Sequence, residues 1–134
     1  MATVPLLSDE ELSPRAAAVF AAIREARGTD YVNNFWRALA HDEDALEETW
    51  GKLSVLMGPG ALDPLVKEMI YVAVSTANGC SYCVHSHTAA AKAKGMSEEM
   101  HAELIRVIGA AMMTNGMVTA LQVPVDEVFD ADAS

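Results

Sequence analysis

The chain has 134 residues, two of them cysteines, and a net charge of −10. The acidic balance argues against nucleic-acid binding, because phosphates are bound by basic surfaces. The length predicts a single domain over residues 1–134. Residues 1–7 lack the basic start and long apolar run of a secretory signal, so we expect a cytoplasmic protein.

The first half of the chain predicts three helices. Ser13-Pro14 is a typical helix start, and Gly28 is a typical stop. Acidic residues over 42–44 favour a later helix start, and Gly58-Pro59-Gly60 ends that helix. Apolar residues recur at helical spacing in all three segments: Ala16, Val19, Phe20 and Ile23; Val32, Phe35, Trp36 and Leu39; Leu46, Trp50, Leu53 and Leu56.

The second half predicts three or four further helices. Asp63-Pro64 opens a fourth helix that runs through Ala77, and its apolar surface almost all round predicts a buried central helix. After the Asn78-Gly79 turn, a fifth helix is predicted from about Cys80 to Gly95. Ser97 caps a sixth helix, and a short seventh is predicted over 115–122. The predicted inner face of the sixth helix is Met100, Leu104, Val107, Ile108 and Ala111.

No segment alternates with the period of a β-strand, so the sequence predicts an all-α bundle of six to seven helices. The apolar stretch from Leu104 to Val123 is interrupted by Arg106, Asn115 and Gly116, so we do not expect it to span a membrane. The acidic tail from residue 126 is expected to fray.

The two cysteines stand three residues apart, and a histidine follows four residues after the second. At about 100° per residue, Cys80, Cys83 and His87 share one face of a helix, whereas His85 points to the far side. In a reducing cytosol, such a pair is typically redox-active or metal-binding.

This arrangement fits peroxide reduction by thiols. A thiolate attacks the O–O bond and becomes a sulfenic acid, which condenses with a second thiol to a disulfide. A helix start favours the thiolate, and a histidine one turn away exchanges the proton. Glu68 lies in apolar surroundings on the preceding helix, and a buried carboxylate needs a partner, for which His87 is available. The residues therefore predict a Glu–His–Cys relay with a resolving cysteine.

Local geometry leaves open which cysteine attacks. Proximity to the helix start favours Cys80, and the histidine at i+4 favours Cys83.

Glu68, Cys80, Tyr82, Cys83 and His87, at their spacing, resemble the signature of the alkylhydroperoxidase D-like branch of the carboxymuconolactone decarboxylase superfamily. The resemblance covers about residues 63–109. It implies an all-helical fold that assembles as a homotrimer or homohexamer. It also implies a peroxidase that needs no haem, flavin or metal and is recycled by an external dithiol donor, a lipoylated or thioredoxin-like protein.

By the same resemblance, Cys83 attacks the peroxide, Cys80 resolves, and His87 and Glu68 relay protons. Tyr82 departs from the family pattern, in which a histidine lies between the cysteines. A phenol is a poor proton carrier at neutral pH, so one alternative is a dithiol/disulfide oxidoreductase with little peroxidase turnover. Another is a non-catalytic helical oligomer that is structural or holds zinc through Cys80, Cys83 and His87 plus Glu68 or His85.

Overall fold

The computed structural model describes residues 1–130, which contain six α-helices and no β-strand. The predicted all-α fold class is therefore confirmed. The helices are α1 (Pro14–Arg27), α2 (Asn34–Leu39), α3 (Glu43–Leu56), α4 (Pro64–Ala77), α5 (Ser81–Ala93) and α6 (Glu98–Leu121). The chain divides into two compact units, Met1–Ala61 and Leu62–Ser134. The prediction of a single domain over the whole chain stays a prediction.

The first unit contains α1, α2 and α3, and its helix starts follow from local capping. The Ala16 N–H donates to Ser13 Oγ at the start of α1, and the Ala45 N–H donates to Asp42 Oδ1 at the start of α3. Gly28 ends α1 in a left-handed conformation with φ of 64°, which glycine adopts without strain. The buried core of this unit contains members of all three predicted apolar stripes together with Ala40: Ala16, Val19, Phe20, Ile23, Val32, Trp36, Ala40 and Leu46. Leu39, Trp50 and Leu53 are half-buried against this core, whereas the predicted Phe35 and Leu56 are exposed.

The second unit is built on α4, which packs against both α5 and α6. The prediction that α4 is buried all round is wrong, because those two helices cover only part of its surface. Val66, Ile70 and Val74 are exposed, and the buried residues of α4 are Glu68, Val72 and Ser75. One face of α4 therefore buries a carboxylate and a hydroxyl.

The predicted break between a sixth and a seventh helix is also wrong, since α6 runs without interruption to Leu121. A glycine inside a helix costs only about 1 kcal/mol, so Gly116 does not stop it. The predicted inner face of α6 is covered only in part. Leu104 and Ile108 are half-buried, whereas Met100, Val107 and Ala111 are exposed.

By length and composition alone, α6 is long and apolar enough to cross a membrane, which is weak evidence for a membrane span. The expectation of no membrane span depends on the polar residues within the helix and stays a prediction. Beyond α6, Glu127–Phe129 form a 3₁₀ turn where fraying was expected, and the rest of the predicted frayed tail lies outside the described residues.

Candidate active site

The candidate site lies on the helical hairpin formed by α4 and α5. Residues 78–80 connect the two helices, and Gly79 has a φ of 70°, a conformation that favours glycine. The Cys80 N–H donates to the Ser75 carbonyl oxygen at 2.9 Å across this turn. Glu68, near the start of α4, contacts Lys94, just beyond the end of α5. Therefore α5 folds back along α4, as the Asn78-Gly79 turn predicts.

Cys80 and Cys83 form a disulfide at the start of α5, with their Cα atoms 5.3 Å apart. The helix begins at Ser81, one residue later than predicted, because Cys80 is its N-cap. The Cys83 N–H donates to Cys80 Sγ at 3.3 Å. The Cys80 sulfur thus occupies the position in which a capping group accepts a hydrogen bond from the first turn. At this position, free N–H groups and the helix dipole favour a negative charge on sulfur.

Glu68 contacts two side chains, one on α5 and one just beyond its end. Its Oε2 lies 2.7 Å from His87 Nδ1, and its Oε1 accepts a hydrogen bond from Lys94 Nζ at 2.8 Å. Glu68 is 4% exposed, and a carboxylate so deeply buried needs such partners. The structure thus joins Glu68 to His87, the partner expected from the sequence, and adds Lys94, which the sequence analysis missed.

The charge of Glu68 favours the His87 tautomer with a proton on Nδ1. Burial is the largest single influence on the pKa of Glu68 and raises it. The hydrogen bonds from His87 and Lys94, together with their charges, outweigh burial and lower the pKa of Glu68 below its ordinary value. An ionised carboxylate can only accept hydrogen bonds, so Nδ1 of His87 is the donor. In the neutral ring, Nε2 then bears the lone pair that accepts a proton.

Tyr71 is a second residue that the sequence analysis missed. Its ring stacks on the His87 ring with centroids 3.7 Å apart and 18° between the planes. The hydrogen bond from Nδ1 and the stacked ring together fix the orientation of the imidazole. Helical spacing contains a signal for both missed residues. Tyr71 follows Glu68 by three positions, and Lys94 follows His87 by seven, which is two turns.

Two further predicted positions lie at the exposed start of α5. Tyr82 is 45% exposed. His85 is exposed, and its Nδ1 lies 2.8 Å from the Ser81 carbonyl oxygen, which agrees with its expected place away from the relay. Over residues 1–130, no three His, Cys, Asp or Glu side chains are grouped so that they could hold a metal ion.

Comparison with known proteins assigns the family. The profile of the Carboxymuconolactone decarboxylase family matches residues 43–126, which is more than half of the chain. The solved structure of the alkylhydroperoxidase AhpD core from Rhodospirillum rubrum ATCC 11170 is 60% identical, with a TM-score of 0.94 over 96% of this chain and 97% of that chain. The chain belongs to the carboxymuconolactone decarboxylase family, in its alkylhydroperoxidase D-like branch.

A curated relative agrees over a shorter stretch. The alkyl hydroperoxide reductase AhpD of Solibacter usitatus (strain Ellin6076) is 38% identical over 66 residues, which are 49% of this chain and 36% of that protein. The chain therefore aligns with about a third of the length of this relative. The resemblance that the cysteine motif predicts is confirmed at the level of the family and its branch.

Proposed function

We propose that the protein is a thiol-dependent peroxidase that reduces hydrogen peroxide or organic hydroperoxides. The observation that carries the proposal is the Cys80–Cys83 disulfide at the start of α5, next to a helix whose Glu68 is hydrogen-bonded to His87. The names of the two relatives, an alkylhydroperoxidase and an alkyl hydroperoxide reductase, support the same reaction class.

The proposed reaction has three balanced steps. The Cys83 thiolate attacks one peroxide oxygen, so that an S–O bond forms, the O–O bond breaks, and an alcohol or water leaves after protonation. The Cys80 thiol then attacks the sulfenic sulfur, which forms the disulfide and releases water. Finally, an external dithiol reduces the disulfide and is itself oxidised. The sum is the conversion of one hydroperoxide and one dithiol to an alcohol, water and one disulfide.

His87 moves the protons in this scheme. Its Nε2 accepts the proton of the attacking thiol and returns a proton to the leaving oxygen. Glu68 holds Nδ1 and balances the charge of the imidazolium that forms, as an acidic partner does for a catalytic histidine. Tyr71 stacks on the His87 ring, and Lys94 donates a hydrogen bond to Glu68.

The test is peroxide consumption by pure protein with dihydrolipoic acid as the dithiol. The Cys83→Ser and His87→Gln variants should lose turnover, whereas His85→Gln, the matched exposed histidine on the same helix, should keep it. In the absence of dithiol, reduced Cys80→Ser should react once with peroxide and leave a sulfenic acid on Cys83 that dimedone traps. Unchanged turnover in Cys83→Ser would refute the proposal, and a sulfenic acid formed only on Cys80 would reverse the cysteine roles.

A second candidate is a dithiol/disulfide oxidoreductase with little peroxidase turnover, and Tyr82 favours it. Tyr82 stands between the two cysteines in the sequence, where the family pattern has a histidine, and a phenol transfers protons poorly at neutral pH. Stopped-flow rates of the reduced protein with peroxide and with a small disulfide separate the two candidates. If Tyr82→His raises only the rate with peroxide, the second candidate describes the natural chain.

We further infer that the chain assembles as a homotrimer or homohexamer. The support is α6, whose residues all remain at least partly exposed and include Ile105, Val107, Met113 and Leu121. Apolar surface of this extent is typical of subunit interfaces. Sedimentation of the natural chain and of Val107→Glu tests this inference, because a buried charge at an interface should dissociate the subunits. A natural chain that sediments as a monomer would contradict it.

A lipoylated or thioredoxin-like protein is the proposed source of electrons. Reduction of the isolated disulfide by a reduced lipoyl domain and by a reduced thioredoxin, compared at equal concentration, identifies the class. Elemental analysis of the same preparation tests the metal-holding alternative. Stoichiometric zinc that blocks thiol labelling would favour that alternative over the peroxidase.

A further inference from the structure

We propose that Lys94 is a positioning residue for the proton relay, because its ammonium holds Glu68 Oε1 and leaves Oε2 to His87 Nδ1. This inference deepens the proposed function and rests on it. Lys94 touches neither the sulfur pair nor any reacting atom in the proposed scheme; it acts through Glu68.

The geometry divides one carboxylate between two donors. The two contacts, 2.7 Å to His87 Nδ1 and 2.8 Å to Lys94 Nζ, use different oxygens. A carboxylate held at both oxygens cannot rotate about its terminal bond without breaking a charge-assisted hydrogen bond. Lys94 therefore fixes the plane of the acceptor that orients His87.

The backbone fixes the place from which Lys94 reaches Glu68. Lys94 is the C-cap of α5, and its N–H donates to the Ala90 and Ala91 carbonyl oxygens at 3.1 Å. Gly95 follows with a φ of 105° and turns the chain away. The side chain of Lys94 is 37% exposed and that of Glu68 is 5% exposed. The ion pair therefore joins a partly solvated ammonium to a buried carboxylate.

The charges explain why the relay needs this lysine. The Lys94 ammonium, the ionised Glu68 carboxylate and a neutral His87 imidazole together carry no net charge. Without Lys94, the buried Glu68 carboxylate keeps a single hydrogen-bond donor, which favours uptake of a proton by the Glu68–His87 pair. A relay that is already protonated is a poorer base for the cysteine thiol, so the loss is largest at acidic pH.

These are the groups that face Glu68. His87 lies on α5, and Lys94 is the C-cap of that helix. Tyr71 on α4 contacts the His87 ring. Helix α6 also packs on α4, but within residues 1–130 the ion pairs of Glu68 are with His87 and Lys94. The lysine is thus the fixed positive charge of the group.

The experiment compares the natural chain with Lys94→Met, Lys94→Arg and Lys92→Met. Lys92 is an exposed lysine in the last turn of α5 and serves as the matched control. Two rates are measured between about pH 5 and 8: labelling of the reduced cysteines by monobromobimane, and peroxide consumption with dihydrolipoic acid.

In Lys94→Met, we expect the acidic limb of the labelling profile to move up by about one pH unit, which is about a tenfold lower rate at pH 6. The rate should recover toward pH 8. Lys94→Arg should restore the natural profile, and Lys92→Met should overlay it. Circular dichroism and melting of each variant check the fold, and Lys94→Gln replaces the methionine variant if that one does not fold.

The outcomes separate this inference from the proposed function. A Lys94→Met labelling profile that overlays the natural one, at whatever melting temperature, overturns the inference, because a merely structural lysine would leave the profile in place. If the natural chain consumes no peroxide while the labelling limb still moves, the peroxidase proposal fails and the positioning role stands.

Discussion

The two units of the chain bury different kinds of side chain. The core of the first unit consists of eight buried apolar residues. In the second unit, the described buried residues are three apolar ones, Val72, Ala91 and Met96, and two polar ones, Glu68 and Ser75. Apolar burial stabilises a fold without directing chemistry, whereas a buried carboxylate costs free energy unless it is paired. The buried core of the first unit thus consists of apolar residues, whereas the buried residues of the second unit include the carboxylate of the candidate site.

The largest expected effect tests the first half of this comparison. Phe20 is fully buried in the first unit, and Phe20→Ala should reduce the free energy of unfolding by about 3–5 kcal/mol. The folded fraction should keep its cysteine labelling rate. Urea unfolding measures the change, and Val55→Ala, an exposed position on α3, should alter stability by less than about 0.5 kcal/mol. A labelling rate that falls in the folded Phe20→Ala protein would break the comparison.

In the second unit, the main expected effect of Glu68→Gln is a loss of peroxide turnover. Loss of the carboxylate removes the charge that balances the His87 imidazolium, so peroxide turnover should fall by about 100-fold or more. Ser75→Ala is the matched control, since Ser75 is the other buried polar residue of α4 and should retain turnover within about threefold. Steady-state kinetics with both variants decides the point, and comparable losses would show that any buried polar change on α4 is harmful.

The pH dependence of stability sharpens the same contrast. The pKa of Glu68 is lowered in the folded protein from its ordinary value of 4.5, so Glu68 contributes stability that is present above pH 4.5 and is lost as the pH falls through its folded pKa. Melting curves below pH 4.5 should therefore decline more steeply for the natural chain than for Glu68→Gln. Phe20→Ala should keep the steep decline from a lower starting point. Parallel curves for all three proteins would contradict this assignment.

The smallest expected effect concerns the stacked ring. Tyr71→Leu should lower turnover by about three- to tenfold, because the imidazole loses an aromatic contact worth about 0.5–1.5 kcal/mol. Tyr71→Phe preserves the ring and should be close to the natural chain. If the phenylalanine variant is as slow as the leucine variant, the hydroxyl rather than the stack matters.

The sequence predicts the first unit well because each of its signals is local. Ser13 caps α1 at the predicted helix start, α3 begins within the predicted acidic residues over 42–44, and most of the buried core residues come from the predicted apolar stripes. In the second unit, apolar composition overestimates burial. The same residues in α4 and α6 can be covered by the chain itself or by another molecule, and hydropathy does not distinguish these cases.

The candidate site shows a similar division. Cys80, Cys83 and His87 lie in one short segment, so their common face follows from helix geometry. The pairing of Glu68 with His87 follows once the turn folds α5 back along α4. Lys94 and Tyr71 are harder to find, because an exposed lysine or a tyrosine on an apolar helix has many ordinary roles. Only the packing of α4 on α5 selects them.

The position of Cys80 at the cap of α5 has a consequence for turnover. The 5.3 Å between the two Cα atoms is a spacing that one turn of helix provides in either redox state. Side-chain rotation alone can therefore make or break the bond, and the backbone amides of α5 should exchange with deuterium at the same rate in both forms. Oxidation and reduction of the pair should therefore leave the backbone of α5 in place.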